Sequence, residues 1–178
     1  MRRRREPRVT WRLIGRLIST ALAATIAALA VWFGLTYRIG VVPSDSMSPT
    51  LKFGDQYLIN VRAYRHKPPQ RREVIVFRQD NGDFLVKRVV GIAGDWVVVT
   101  QGHTYLNGTE LQERYAVWSG EAWNDRPQQA VVKEGEVFVL GDNRDRSEDS
   151  RDFGAVPTDT VLGRAERIIF PRERRAQL

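Results

Sequence analysis

The chain contains no cysteine and only two histidines, His66 and His103. The lack of cysteine excludes a disulfide framework, a thiolate nucleophile and a cysteine-based metal site, and it is compatible with an exported domain. Two histidines also leave little material for a histidine-rich metal site. We therefore expect neither a metal nor a cofactor, and any chemistry must come from hydroxyls, carboxylates or amines.

The folded body has little positive charge, although the whole chain carries a net charge of +7. Residues 1–16 carry +6 and residues 164–178 carry +3, so residues 17–163 are left with −2. A protein that binds DNA or RNA needs its basic patch on the folded domain. This distribution argues against a nucleic-acid partner.

Only one long uncharged run is present, residues 17–37, rich in Ala, Leu and Ile. As a helix it would be about 30 Å long, which matches the hydrocarbon core of a bilayer. We interpret it as a single transmembrane anchor that keeps the basic residues 1–16 in the cytoplasm and places everything after Arg38 outside. A cleavable signal peptide is the alternative, because Ala28-Leu29-Ala30 has the small-x-small form of a cleavage site.

Beyond residue 38 no segment shows a convincing helical period. Short β-branched and aromatic runs separated by Gly-Asp and Asn-Gly turns predict strands, and Asn107-Gly108 predicts a two-residue hairpin. The predicted strands are 57–61, 73–78, 84–90, 96–99 and 137–140. We expect a mainly β, short-stranded antiparallel domain, residues 38–170, with a partly closed, barrel-like form. Residues 171–178 are expected to be a polar, basic tail.

Two further segments lie between these strands. Residues 62–72 are interpreted as an exposed basic loop, with contact to anionic lipid headgroups as a second interpretation. Residues 114–130 are interpreted as an irregular insertion whose Trp118 and Trp123 either cap the core or meet the membrane surface.

The stretch from Pro43 to Pro49 places three serines directly after the anchor. Proline disfavours helix at and before its own position, so Ser46 is expected on a short, stiff, non-helical segment. A serine hydroxyl becomes a useful nucleophile only when a base is held within hydrogen-bond reach. A simple Ser/Pro/Asp turn is the other interpretation.

Lysine is scarce, with four lysines among the 28 basic residues, and Lys87 lies inside an apolar strand. Alternation along that strand predicts that one of the neighbouring cations, Lys87 or Arg88, points inward. Burial lowers the pKa of an amine, and a neutral lysine is a competent base, whereas arginine stays protonated. The alternatives are a lysine whose stem is buried while its amine reaches water, or a base supplied by His66 or His103.

Three blocks behind the anchor carry a resemblance. They are Ser46-Met47 with Pro49-Thr50-Leu51, the block KRVVGIAGD from Lys87 to Asp95, and the block GDNRDRSEDSR from Gly141 to Arg151. Their order and spacing resemble those of bacterial type I signal peptidases, in the smaller form without a large extra β domain. The chain departs from the usual pattern at Ala93, where proline is usual, and at Arg146, where asparagine is common.

The resemblance implies a membrane-anchored serine endopeptidase that removes signal peptides through a Ser-Lys dyad and an acyl-enzyme. It implies Ser46 as nucleophile, Lys87 as general base, and the Ser44 hydroxyl with the Ser46 backbone N–H as the oxyanion hole. It also implies that Ser147 orients the lysine and that Asp142, Asp149 and Arg151 support the site.

The expected partners are preprotein signal peptides with Ala-x-Ala cleavage sites and membrane lipid, and the expected state is a monomer in the bacterial inner membrane. The alternatives are a maturation peptidase dedicated to one secretion or conjugation substrate, or a membrane-anchored β domain that binds without catalysis.

Overall fold

The computed structural model of the chain describes residues 11–120 and 127–178. The arginines before residue 10 and Trp123 lie outside these ranges. The helices are α1 (Trp11–Thr36) and α2 (Ser150–Phe153). The strands are β1 (Tyr37–Val41), β2 (Gln56–Asn60), β3 (Val74–Arg78), β4 (Phe84–Ile92), β5 (Trp96–Thr100), β6 (His103–Leu106), β7 (Thr109–Glu110), β8 (Gln128–Val131), β9 (Glu136–Leu140), β10 (Val156–Pro157) and β11 (Val161–Phe170). Short 3-10 helices cover Arg144–Arg146, Thr158–Thr160 and Arg172–Arg174.

The N-terminal helix forms one compact unit, and residues 37–178 form the other. Within the helix, the 24 residues Leu13–Thr36 are long and apolar enough to cross a membrane. Its hydroxyl side chains donate to carbonyl oxygens about one turn earlier, as Thr25 does to Ala21 and Thr36 to Trp32. Internal pairing of this kind satisfies polar groups without water. The helix begins before the predicted Leu17 and ends at Thr36, because Tyr37 already belongs to β1.

The strands of the described residues form two antiparallel sheets. The larger has seven strands in the order β1-β2-β11-β3-β4-β9-β10, so its middle is built from segments far apart in sequence. Pairing between strands that are distant in sequence brings residues 42–55, β4 and residues 141–151 into one region. The sequence did not predict β11. In this strand Gly163, Ala165 and Ile168 are buried, and the charged residues between them are half-buried or exposed.

The smaller sheet has the order β7-β6-β5-β8. Its β6–β7 connection is the predicted hairpin at Asn107-Gly108, and both residues have the positive φ, 53° and 83°, that a type I′ turn needs. The mainly β, antiparallel class with one N-terminal helix is therefore confirmed. Both sheets are open in these strand orders, so the domain is not a closed barrel.

The core consists of three neighbouring apolar clusters rather than one. The first joins β2, β3, β4 and β11 to three buried residues of the serine-bearing segment, Val42, Met47 and Leu51. These three side chains seat the segment on the sheet, so the position of Ser46 is set by core packing.

Candidate active site

Residues 42–55, which we call the serine loop, fold into a succession of turns without regular helix. Backbone bonds within it run from Ser48 N–H to the Asp45 carbonyl at 3.0 Å and from Leu51 N–H to the Met47 carbonyl at 2.9 Å. The loop closes where Val42 N–H donates to the Asp55 carbonyl at 2.9 Å. Ser46 lies within it and is 6% exposed.

Lys87 extends from the middle of β4, and its Nζ lies 2.6 Å from the Ser46 Oγ. The lysine is 3% exposed. A hydroxyl and an amine in direct contact, both shielded from water, are the arrangement that a serine nucleophile and its base require.

The pKa of Lys87 is lowered to about 8, from 10.5 for a free lysine. Burial is the main cause, because it penalises the charged ammonium. The carboxylates of Asp149 and Glu148 act against this effect, and the Arg151 guanidinium acts with it. The neutral amine that a general base requires therefore forms at a lower pH than in a free lysine.

Both cations of the apolar strand are buried, so the expectation that only one points inward is wrong. Strands β3 and β9 pair with the two edges of β4, and its faces are covered by other segments, with Ser46 on Lys87 and with Asp142 on Arg88. Arg88 is 6% exposed and forms a two-pronged ion pair with Asp142, with N–O distances of 2.8 and 2.7 Å. The Arg88 guanidinium also lies 4.1 Å above the ring of Tyr115, and the Thr50 hydroxyl donates to Asp142.

Ser44, the residue implied for the oxyanion hole, lies beside the nucleophile. Its hydroxyl donates to the Ser46 Oγ at 3.3 Å, and its side chain is exposed. Ser44 and Ser46 thus lie together, with Ser44 on the side of the dyad that faces solvent.

Ser147 is buried, but it makes no hydrogen bond to Lys87 here, and its Oγ has no hydrogen-bond partner among the described residues. It packs against Gly141 and the Ser46 carbonyl. A Cβ at position 141 would lie 2.1 Å from the Ser147 Oγ and 2.5 Å from the Ser46 oxygen. Glycine at 141 is therefore what allows these two serines to approach.

Asp149 and Arg151 hold the segment that follows Ser147. Asp149 accepts from Gly141 N–H at 2.9 Å, caps the short helix α2 and binds the Arg151 guanidinium at 2.8 Å. Both partners of this ion pair are nearly inaccessible to solvent. Asp142, Asp149 and Arg151 thus form structural supports around the dyad rather than contacts with it.

Sequence reasoning missed Arg144, which is 1% exposed. Its guanidinium binds Glu113 at 2.8 Å, the Thr104 hydroxyl at 2.8 Å and the Gly102 carbonyl at 3.0 Å. It therefore ties the turn before Ser147 to the smaller sheet. No local sequence pattern separates this arginine from its exposed neighbour Arg146.

Residues 117–119 lie along the same turn. Val117 exchanges backbone hydrogen bonds with Asp142 and Arg144, and Ser119 N–H donates to Asp145. Trp118 packs against Gly102 and His103, so this described part of the 114–130 insertion rests on the domain. Arg146 is exposed and lines a cavity of about 500 Å³ with residues 117–119.

The two histidines are exposed, whereas Ser46 and Lys87 are both buried. His66 is exposed in the 62–72 loop, and His103 pairs with Glu110 at 2.7 Å. Among residues 11–120 and 127–178 no group of three or more His, Asp or Glu side chains could hold a metal ion.

The family model and the similar proteins found by comparison agree on one family. The family model described as "Signal peptidase, peptidase S26" matches residues 14–170. A probable signal peptidase I-2 of Synechocystis sp. is 36% identical over 89% of this chain and 73% of its own length. A signal peptidase IB of Staphylococcus aureus is 30% identical over 82% of this chain and 88% of its own.

Among solved structures, a signal peptidase I from Enterococcus faecalis is similar to this chain. It is 33% identical, with a TM-score of 0.47, and the match covers 55% of this chain and 97% of the other.

Proposed function

Because the chain belongs to the peptidase S26 family of signal peptidases, we propose that Ser46 and Lys87 are the nucleophile and the general base with which it removes signal peptides from preproteins. The observation that carries this proposal is the buried contact of 2.6 Å between the Lys87 amine and the Ser46 hydroxyl. The lowered pKa of Lys87 supports it, since only the neutral amine can accept a proton.

In the proposed reaction, the Ser46 Oγ attacks the scissile carbonyl carbon while the neutral Lys87 takes the hydroxyl proton. Collapse of the tetrahedral intermediate breaks the C–N bond, and the Lys87 ammonium gives its proton to the leaving amine. A water molecule, deprotonated by the again neutral Lys87, then attacks the acyl-enzyme carbonyl. The bond between that carbon and the Ser46 Oγ breaks, and the Lys87 ammonium gives its proton to the Oγ, which releases the signal peptide as a carboxylic acid. The serine hydroxyl and the neutral lysine are thereby restored, so the proton balance closes.

The oxyanion would be bound by the Ser46 backbone N–H and the Ser44 hydroxyl. In the free enzyme that hydroxyl points to Ser46, and rotation about χ1 would aim it at a developing charge. Ser147 is the proposed partner that orients the Lys87 amine, because its hydroxyl is buried beside the Ser46 carbonyl and makes no hydrogen bond within residues 11–120 and 127–178.

The proposed substrates carry Ala-x-Ala before the scissile bond. The arginine-rich residues 1–16 support an orientation with the N-terminus in the cytoplasm and the β domain outside the bacterial inner membrane. We further propose contact with membrane lipid and a monomeric enzyme.

The test is cleavage of a preprotein with an Ala-x-Ala site by the detergent-solubilised full chain, across pH. Wild-type kcat should rise with pH through an apparent pKa near 8, the value at which Lys87 becomes neutral. Ser46→Ala, Lys87→Ala and Lys87→Arg should each be inactive. His66→Ala and His103→Ala serve as controls and should retain full activity.

Cleavage that survives Ser46→Ala would refute the nucleophile, and cleavage that survives both lysine variants would place the base elsewhere. If wild type cleaves only a single natural preprotein and no general Ala-x-Ala substrate, the dedicated maturation peptidase would be the better description.

A further inference from the structure

Residues 171–178, which we call the closing segment, fold back along β11. Ile168 N–H donates to the Ala176 carbonyl at 2.9 Å, and Leu178 N–H donates to the Glu166 carbonyl at 3.0 Å. The Leu178 side chain packs on the apolar cluster that contains Met47 and Leu51. The segment expected to be a polar tail therefore contacts the same core that seats the serine loop.

Arg174, in the 3-10 helix of the closing segment, binds the serine loop directly. Its Nε lies 3.0 Å from both carboxylate oxygens of Asp55, and its Nη2 lies 2.9 Å from Oδ2. The same Nη2 also donates to the carbonyl oxygens of Thr50 at 3.2 Å and Pro49 at 3.3 Å. One guanidinium thus joins a side chain and two backbone carbonyls of the loop.

The position of Asp55 gives this contact its importance. Asp55 is 2% exposed, its carboxylate accepts from Lys52 N–H at 2.9 Å, and its carbonyl accepts from Val42 N–H. It therefore closes the base of the loop that carries Ser46. A carboxylate this deeply buried needs a paired cation, and Arg174 is the cation that the structure supplies.

The serine loop is held from two sides that meet at Thr50. The Thr50 hydroxyl donates to Asp142, which is fixed by Arg88, the neighbour of Lys87 on β4. The Thr50 carbonyl accepts from Arg174. One contact links the loop to the strand of the base, and the other links it to the closing segment.

From these contacts we infer that Arg174 is a positioning residue, which holds the serine loop so that the Ser46 hydroxyl stays within reach of the Lys87 amine. The inference rests on the proposed role of Ser46 as nucleophile. Arg174 does not touch the reacting atoms. Its loss should therefore lower kcat, because a displacement of about 1 Å at a reacting group costs on the order of 100-fold in rate.

The experiment compares Arg174→Ala and Arg174→Lys with Arg172→Ala in the full chain in detergent, with kcat, KM and the thermal midpoint measured for each. Arg172 lies on the same 3-10 helix with an exposed side chain, so its variant removes the same charge from the same segment. Arg174→Ala should lose about tenfold or more in kcat with KM within about twofold of wild type, because the lost contacts do not involve substrate.

Arg174→Lys should have an intermediate kcat, since one ammonium cannot bind both the Asp55 carboxylate and the loop carbonyls in the manner of the planar guanidinium. Millimolar guanidinium should restore part of the kcat of Arg174→Ala, because the site is partly open to solvent. It should restore none in Ser46→Ala. Arg172→Ala should behave as wild type.

An Arg174→Ala kcat equal to that of Arg172→Ala would overturn the inference. So would a loss explained entirely by a smaller folded fraction and insensitive to guanidinium. If Arg174→Ala does not fold, a wild-type kcat in Arg174→Lys would overturn it. Activity in Ser46→Ala would instead refute the proposed nucleophile, so the two failures are distinguishable.

Discussion

Burial disfavours the charged form of Lys87. Its pKa is about 8 in the folded protein, and 10.5 is the ordinary value expected for the unfolded chain. Between these two pH values the unfolded state binds a proton that the folded state lacks, so stability rises with pH in this window. Below pH 8 both states are protonated, and the burial cost of the charge is fully present.

We expect Lys87→Met to raise the free energy of unfolding at pH 7 by on the order of 3 kcal/mol, which corresponds to the lowered pKa. The variant should also lose the gain in stability between about pH 8 and 10.5. Denaturant unfolding followed by circular dichroism measures both effects. Lys133→Met, at an exposed position, is the control. A Lys87→Met protein less stable than wild type at pH 7 would contradict the argument.

Ser44 gives the second prediction at this scale. If its hydroxyl stabilises the oxyanion, Ser44→Ala should reduce kcat by about 100-fold, the usual effect of removing one oxyanion donor. KM and stability should change little, because the Ser44 side chain is exposed. Ser48→Ala, in the same turn, is the matched control for steady-state kinetics. Equal kcat values in the two variants would exclude Ser44 from the oxyanion hole.

At the scale of elements, strand β4 supplies two parts of the site from adjacent residues. The sequence predicted the strand and its lysine because β-branched residues and a rare lysine stand out locally. It did not predict that Arg88 is also buried, because that depends on Asp142 and Tyr115, which are distant in sequence. Arg144 and Arg174 could not be predicted for the same reason, since their partners are distant in sequence.

The Arg144 cluster offers a test at this scale. Arg144→Leu leaves the Glu113 carboxylate, whose side chain is 7% exposed, without its cation. Removing one partner of a buried ion pair typically costs about 3–5 kcal/mol, so unfolding should occur at a clearly lower denaturant concentration. Arg114→Leu, which changes an exposed neighbour, should have a small effect. Equal stability of the two variants would show that the tie between turn and sheet is dispensable.

At the scale of the whole molecule, the chain divides into a helix and a β domain with its own apolar clusters. The sequence predicted the N-terminal helix and the mainly β class, because a long uncharged run and short β runs are both local signals. The sequence did not predict the order of strands in the larger sheet. Strand β11 lies between β2 and β3, and this pairing joins segments that are far apart in the chain.

We expect a variant that lacks residues 1–36 to fold and to cleave a short soluble peptide with nearly the wild-type kcat. On a preprotein inserted in vesicles it should be slower, because the wild-type anchor raises the effective concentration of enzyme at the membrane. For each substrate, the rate of the variant is divided by the rate of wild type. The difference between the ratio on the soluble peptide and the ratio on the inserted preprotein measures the contribution of the anchor. Equal ratios for soluble and inserted substrates would mean that the anchor has no role in encounter.

Gly141, finally, sets a limit on sequence change. The space for a single methyl group at this position is already occupied by the Ser147 hydroxyl and the Ser46 carbonyl. Alanine, the smallest replacement, would already displace one of the two serines, and every larger side chain would do so further. In a saturation-mutagenesis library selected for secretion, position 141 should therefore tolerate no substitution, although glycine contributes no functional group of its own.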